Sequence, residues 1–263
     1  AILSGLVGSE MCIRDRSSTV PLVVDIHGGG DDMYQQRWTS DFANLSMEKG
    51  FIVAYPQGHN DLWNQGDGVL PGADQDDVGF ILKMVEKIQN THSIDSSRIY
   101  VTGWSNGCAL SQKLANEHSD VFAAVACMSY YLLDDPEPDY SSIPVMEIHG
   151  LVDQIILYSN DAIHLPNVEA QEHGAIQNLL LWAEMNGCQG SIPDSNSPST
   201  FYSIQSFTDC ENGSEVSLVT LYAADHNPYE EEFDPDGPLI FVGNGGTVDT
   251  NGIAWDFMIK FSK

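Results

Sequence analysis

The stretch RIYVTGWSNG at residues 98–107 decides how this chain is read. Arg98–Thr102 is a short run of apolar and β-branched residues, the pattern of a buried strand. Ser105–Glu117 has the spacing of a helix. Between them stands Gly103-Trp104-Ser105-Asn106-Gly107, a G-x-S-x-G pattern. At a strand-to-helix junction this pattern places serine on a sharp, strained turn. The flanking glycines let strand and helix approach without a Cβ clash, and the hydroxyl is pushed clear of the sheet. The amide of Asn106, at the helix N-terminus, is then available to a developing oxyanion. Alone, the pattern also describes a plain turn with a capping serine. Its position between a buried strand and an amphipathic helix is what points to a nucleophile.

The same alternation runs outward in both directions. Val20–His27, Phe51–Tyr55, Phe122–Met128, Pro144–His149, Thr200–Ser206 and Val216–Tyr222 read as strands. Trp38–Lys49, Asp76–Asn90, Glu169–Asn186 and Val248–Phe261 read as helices, the second with acids in its first turn. Several strands are apolar throughout rather than alternating. The expectation is an α/β fold: a mostly parallel central sheet with helices on both faces.

Open parallel sheets place chemistry beyond the carboxyl ends of their strands. After VPLVVDI comes His27-Gly28-Gly29-Gly30, where glycine amides free of Cβ crowding suit the second half of an oxyanion hole. Gly29 is the expected donor, with Gly30 as the alternative and His27 as a structural residue. After PVMEIH, Asp153 lies where an orienting acid belongs; Asp161 is its near rival. After VSLVTLY, His226 follows the strand directly, whereas His164 and His173 precede it. Ser105, Asp153 and His226 thus form a candidate triad in the chain order Ser, Asp, His. In this reading His226 takes the Ser105 proton and Asp153 fixes its tautomer. The amides of Gly29 and Asn106 receive the oxyanion. This chemistry requires neither metal nor organic cofactor.

Composition narrows the partners. The chain of 263 residues has 38 acidic and 10 basic residues, a net charge of −28. Such a surface repels nucleic acid and anionic membrane. No apolar run approaches the roughly 18 residues of a membrane span. The acidic runs Asp134–Asp139 and Glu230–Asp236 lack the ligand spacing of a calcium loop and read as solvated loops. Cys188 and Cys210 lie in polar, loop-like surroundings that permit a disulfide, while Cys108 and Cys127 read as core. Leu6–Arg16 (LVGSEMCIRDR) resembles translated sequencing-adapter sequence. Residues 1–16 are therefore expected to stand outside the fold, and residues 17–263 to form a single catalytic domain. The natural start, with any signal peptide and one or two leading strands, is expected to be missing.

With these residues in place, the chain resembles the feruloyl esterase and poly(3-hydroxybutyrate) depolymerase group of the α/β-hydrolase superfamily. The resemblance rests on PLVVDIHGGG at 21–30, DDVGF at 76–80, IDSSRIYVTGWSNG at 94–107 and FAAVA at 122–126. It extends through IHGLVDQIILY at 148–158, WAEMNGC at 182–188 and VSLVTLYAADH at 216–226. It implies an α/β-hydrolase fold, the triad Ser105, Asp153 and His226, a Cys188–Cys210 bridge and secretion. Two places depart from the group's pattern: Asn227-Pro228-Tyr229 after the histidine, where Trp-Pro is common, and Tyr130-Tyr131 where a small residue is common.

Trp104, Trp63 and Tyr130 are candidate substrate-binding rings, able to stack on a hydroxycinnamoyl group or an aromatic polyester unit. Ordinary packing is the alternative for each. The short connection from Leu132 to Ile143 leaves little chain for a lid, so an open cleft is expected. The resulting expectation is an extracellular, monomeric esterase acting on hydroxycinnamoyl esters or polyesters. A short-chain acyl esterase, a serine peptidase and a non-catalytic binding protein of the same fold are the competing readings.

Overall fold

The computed structural model describes residues 6–7, 18–66, 73–159, 174–229, 243–244 and 247–263. Asp161, His164, His173, the run Glu230–Asp236 and most of residues 1–16 lie outside the described residues.

The strands are β1 (Leu6–Val7), β2 (Val20–Ile26), β3 (Ile52–Ala54), β4 (Ile94–Gly103), β5 (Ala124–Met128), β6 (Val145–Gly150), β7 (Ser195–Pro198), β8 (Tyr202–Phe207) and β9 (Val216–Leu221). They form one sheet in the order β1-β3-β2-β4-β5-β6-β9-β8-β7. From β3 to β9 all neighbours are parallel. The two ends are antiparallel, where β1 adds to β3 and a β7–β8 hairpin adds to β9. The hairpin strand β7 is polar and exposed, so it carries none of the apolar pattern that reveals the central strands.

The helices are α1 (Met33–Ser40), α2 (Phe42–Lys49), α3 (Asp77–Thr91), α4 (Asn106–Glu117), α5 (Ala175–Met185) and α6 (Thr250–Met258). The single helix expected over Trp38–Lys49 is instead two. Asp41 takes a left-handed conformation (φ 52°) that ends α1 and starts α2. Asp76, expected as the first helical residue, instead caps α3 by accepting from the Gly79 amide, and Asp77 is the acid in the first turn. No helix among the described residues is long and apolar enough to cross a membrane.

Each central strand feeds two cores, because successive side chains point to opposite faces. Leu22, Val24 and Ile26 of β2, Ile99 and Val101 of β4, and Val125 of β5 pack beneath α3, α4 and α5 with Ile81, Leu114 and Trp182. Val23, Tyr100, Ala126 and Ile148 face the other way, against Phe42, Trp255 and Phe257 of α2 and α6. Trp182, Phe42 and Phe257 are all fully buried, and side chains of this size contribute about 1.5–3 kcal/mol each on burial. The apolar-throughout strands of the sequence are this two-sided burial. Cys108 and Cys127 are buried as expected, but they are also bonded to each other, tying the first turn of α4 to β5. A Cys188–Cys210 disulfide joins the end of α5 to the loop after β8.

Asp25 is the exception in β2. It is fully buried and accepts hydrogen bonds from Ser40 Oγ (2.5 Å) and Gln36 Nε2 (2.7 Å) of α1. Burial pushes its carboxyl from 3.8 up to about 7, against the lowering effect of those two bonds. The folded chain then binds this proton more tightly than the unfolded chain. The stabilising contribution is complete below about pH 4 and is lost as pH rises through about 7. Asp25→Asn should raise the melting temperature relative to wild type at pH 8, by the equivalent of about 1 kcal/mol or more, and not at pH 4. An identical offset at both pH values in thermal denaturation would show that no charge is buried here.

Candidate active site

Parallel strands deliver their carboxyl ends to one rim. Ile26 of β2 is in register with Gly103 of β4, and Gly150 of β6 with Leu221 of β9. The segments beginning at His27, Trp104, Ser129, Leu151 and Tyr222 therefore all leave the sheet on the same side.

Ser105 sits between β4 and α4 at φ 52°, ψ −123°, a conformation that non-glycine residues adopt only under constraint. Its amide donates to the Met128 carbonyl (2.8 Å), and the Trp104 amide donates to the Ile26 carbonyl (3.1 Å). A Cβ on Gly107 would lie 2.2 Å from the Ile26 carbonyl oxygen and 2.5 Å from that of His27. Helix α4 can start this close to β2 only because Gly107 has no side chain.

Ser105, Asp153 and His226, the three candidates, are brought together. Ser105 Oγ lies 2.9 Å from His226 Nε2, and His226 Nδ1 lies 2.8 Å from Asp153 Oδ2. Asp153 and His226 are buried, and Ser105 is half-buried. A second close approach makes this meeting possible. A Cβ on Gly150 would fall 2.2 Å from the Asp225 carbonyl oxygen, so the loop before His226 packs directly on the end of β6. Asp153 is held by more than the histidine. Its Oδ1 accepts from the amides of Ile155 (2.8 Å) and Ile156 (3.0 Å). Burial alone would raise this carboxyl, but hydrogen bonds from His149 and His226 outweigh it and hold Asp153 well below the usual carboxylate range.

The glycine turn after β2 is equally close. A Cβ on Gly28 would stand 3.6 Å from Ser105 Cβ, which sets the glycine turn beside Ser105. Gly30 donates its amide to the Asp61 carbonyl (2.7 Å). Gly29 is exposed, and among the described residues its amide makes no hydrogen bond, so of the two candidates Gly29 retains a donor to offer. His27 is structural in its bonding. Its Nδ1 faces the Gly28 carbonyl (2.7 Å) and its Nε2 accepts from the Gly58 amide (3.0 Å). Burial lowers its pKa, which favours the neutral ring this arrangement needs.

The three aromatic candidates have separate fates. Trp63 is fully buried, 4.8 Å from the His27 ring, and its Nε1 donates to the His27 carbonyl (2.9 Å). Its ring is part of the core and offers no face to a ligand. Trp104 is also buried; its Nε1 donates to the His226 carbonyl (2.7 Å), and its ring lies 5.5 Å from the imidazole. Tyr130 is half-buried, with its hydroxyl accepting from Gln65 Nε2 (3.2 Å). Tyr229, in the departing Asn227-Pro228-Tyr229 segment, is fully buried with its ring edge toward Trp104 at 6.2 Å.

Two features escaped the sequence reading. The Asn106 side chain clamps the loop after β3: it accepts from the Trp63 amide (2.8 Å) and donates to the Trp63 carbonyl (3.1 Å) and Gln65 Oε1 (2.6 Å). Behind Asp153 lies a second buried imidazole, His149, whose Nδ1 is 2.6 Å from Glu147 Oε1. Glu147 and His149 stand two apart in PVMEIH, polar residues on one face of an otherwise apolar strand. That spacing was the available signal. Among the described residues, no cluster of three His, Cys, Asp or Glu side chains is placed to hold a metal ion.

The profile of the family described as Esterase PHB depolymerase matches residues 15–218. The chain belongs to this esterase family. Feruloyl esterase B of Piromyces equi is 26% identical over 253 residues, covering 92% of this chain and 42% of that protein. The bifunctional acetylxylan esterase/xylanase XynS20E of Neocallimastix patriciarum is 22% identical over 245 residues, covering 88% of this chain and 34% of that protein. The chain thus spans less than half the length of either relative. The solved acetyl xylan esterase of Aspergillus awamori superposes with a TM-score of 0.61 at 19% identity, over 80% of this chain and 85% of that one. The family member described here therefore has the α/β-hydrolase fold of esterases.

Asn106 gives this esterase-family site a testable joint. Asn106→Ala leaves the buried Trp63 amide and carbonyl without partners, which should cost about 1–3 kcal/mol of stability in urea denaturation. A loss within measurement error would show that the clamp contributes nothing.

Proposed function

We propose that this chain is a serine carboxylic ester hydrolase that works through an acyl-enzyme. The observation that carries the reading is the unbroken line of hydrogen-bonding atoms from Ser105 Oγ through His226 to Asp153 at the rim of the sheet. With Nδ1–H donated to Asp153, His226 presents the Nε2 lone pair to the serine hydroxyl. As Ser105 Oγ attacks the ester carbonyl, its proton passes to Nε2. Asp153, held ionised, stabilises the imidazolium. The tetrahedral oxyanion is received by the amides of Gly29 and Asn106, each worth roughly 3 kcal/mol by analogy with deletions of such donors. Collapse returns the proton to the leaving alkoxide, and water repeats the sequence on the acyl-enzyme.

For the substrate, the reading favours hydroxycinnamoyl esters first and polyesters second. Support comes from the relatives' names, feruloyl esterase and acetylxylan esterase. The two disulfides fit an oxidising, extracellular setting.

Ser105→Ala should abolish labelling by a fluorophosphonate and lower kcat/KM on p-nitrophenyl acetate by about 10⁴-fold or more. Asp153→Asn should lower it by about 10³–10⁴-fold with Ser105 still in place. Full activity in Ser105→Ala would end the serine-hydrolase reading. In a panel of methyl ferulate, p-nitrophenyl acetate, poly(3-hydroxybutyrate) and a peptide amide, methyl ferulate should be cleaved and the amide left intact. Cleavage of the acetate alone would reassign the substrate to short acyl groups.

A further inference from the structure

The triad does not use His149, yet this residue is fully buried and lies directly behind it. Its Nδ1 is 2.6 Å from Glu147 Oε1. Its Nε2 is 2.8 Å from the Ile156 carbonyl oxygen and 3.3 Å from Asp153 Oδ2, the same oxygen that meets His226. Every one of these partners is an acceptor. A neutral imidazole carries one N–H and would turn the lone pair of its other nitrogen toward an oxygen. Only the imidazolium satisfies both contacts while Glu147 is a carboxylate; a neutral ring requires the shared proton to sit on Glu147 Oε1 instead.

The surroundings keep that ring in place. Tyr131 stacks on it with ring centroids 5.8 Å apart and an interplanar angle of 8°, and its hydroxyl donates to the Leu157 carbonyl. Tyr158 meets its edge at 5.8 Å and shares a hydrogen bond with Thr220 (2.6 Å). The other oxygen of Glu147 accepts from Asn178 Nδ2 of α5, and Asn178 Oδ1 in turn accepts from the Leu132 amide (3.1 Å). The titratable groups facing His149 are therefore Glu147, Asp153, Tyr131 and Tyr158, with His226 on the far side of Asp153.

We propose that His149 is a protonated positioning residue, an imidazolium clamped between Glu147 and Asp153 that holds Asp153 in line with His226 and opposes a second positive charge in the cluster. The proposal rests on the triad reading above. Its consequence has a sign. Removing the charge at His149 leaves one positive charge fewer beside Asp153, which moves the acid limb of the activity profile toward higher pH. Burial by itself would favour neutral His149, but the hydrogen bonds and charges of Asp153 and Glu147 prevail and push it up to about 10.

Glu147→Gln tests this without removing the ring. Asn178 Nδ2 still needs an acceptor, which turns the new amide oxygen toward it and the NH₂ toward His149 Nδ1. That nitrogen must then accept, and His149 becomes neutral. In ¹⁵N-labelled wild-type protein at pH 8, one of the eight histidines should show both ring nitrogens protonated. The signal should vanish in His149→Gln and in Glu147→Gln. In His149→Gln the acid limb of the kcat/KM–pH profile on p-nitrophenyl acetate should move to higher pH, by about one unit, and in Glu147→Gln, which removes one negative and one positive charge together, by less. KM should change less than kcat. Neutral rings at all eight histidines in the wild type would overturn the proposal, as would an unmoved acid limb in a folded His149→Gln variant. The imidazole signals are read without turnover. A failure of the triad reading would appear instead as wild-type protein that a fluorophosphonate does not label at Ser105.

Discussion

The whole rim depends on the approach of α4 to β2 at the serine turn. Carbonyl oxygens of Ile26 and His27 occupy the space where a side chain on Gly107 would project. The turn at Ser105 is strained, and it persists because the surroundings over-determine it. The Ser105 amide is bonded to Met128, the Trp104 amide to Ile26, and a disulfide ties Cys108 to Cys127. Moving any of these would release the serine from its conformation. The same approach brings the glycine turn after His27 alongside Ser105, so the two are positioned by a single packing constraint.

The loops of the rim are then fastened to one another rather than to the sheet alone. Two indoles act as staples: Trp63 Nε1 bonds the carbonyl of His27, and Trp104 Nε1 bonds the carbonyl of His226. Asn106 joins the loop after β3 to the start of α4. Large aromatic residues near Ser105 thus hold the backbone of the rim in place, and the polar end of each ring meets a carbonyl that would otherwise be buried without a partner. Asp153 is anchored in the same manner by two backbone amides and two imidazoles. A carboxylate so enclosed keeps its charge and its direction, which is what a base must have in order to stay in one tautomer.

Much of this was legible in advance. The strand-to-helix setting of Ser105, the glycines after β2 and the positions of Asp153 and His226 after their strands follow from one topological rule, that parallel strands end on a common rim. The break between α1 and α2 was not legible, because Asp41 sits within a continuous helical pattern and only its left-handed backbone ends the helix. The polar edge strand β7 was invisible for lack of apolar residues. Trp63 was open to two readings, ligand-binding ring or ordinary packing, because its loop leaves the sheet at the same rim as Ser105. Only packing shows that the ring turns inward beneath His27.

Chain order and strand boundaries by themselves determined which serine, acid and histidine would meet, since the sheet converts sequence position into position on the rim. Tertiary structure alone decided what surrounds them: that Cys108 is bonded to Cys127, that the tryptophans are staples, and that His149 lies between two carboxylates. The physical reason is the range of the forces involved. Strand and helix patterns are set by neighbours two to four residues away. Hydrogen bonds and buried charges act between side chains distant in the chain, and their partners exist only once the chain has folded.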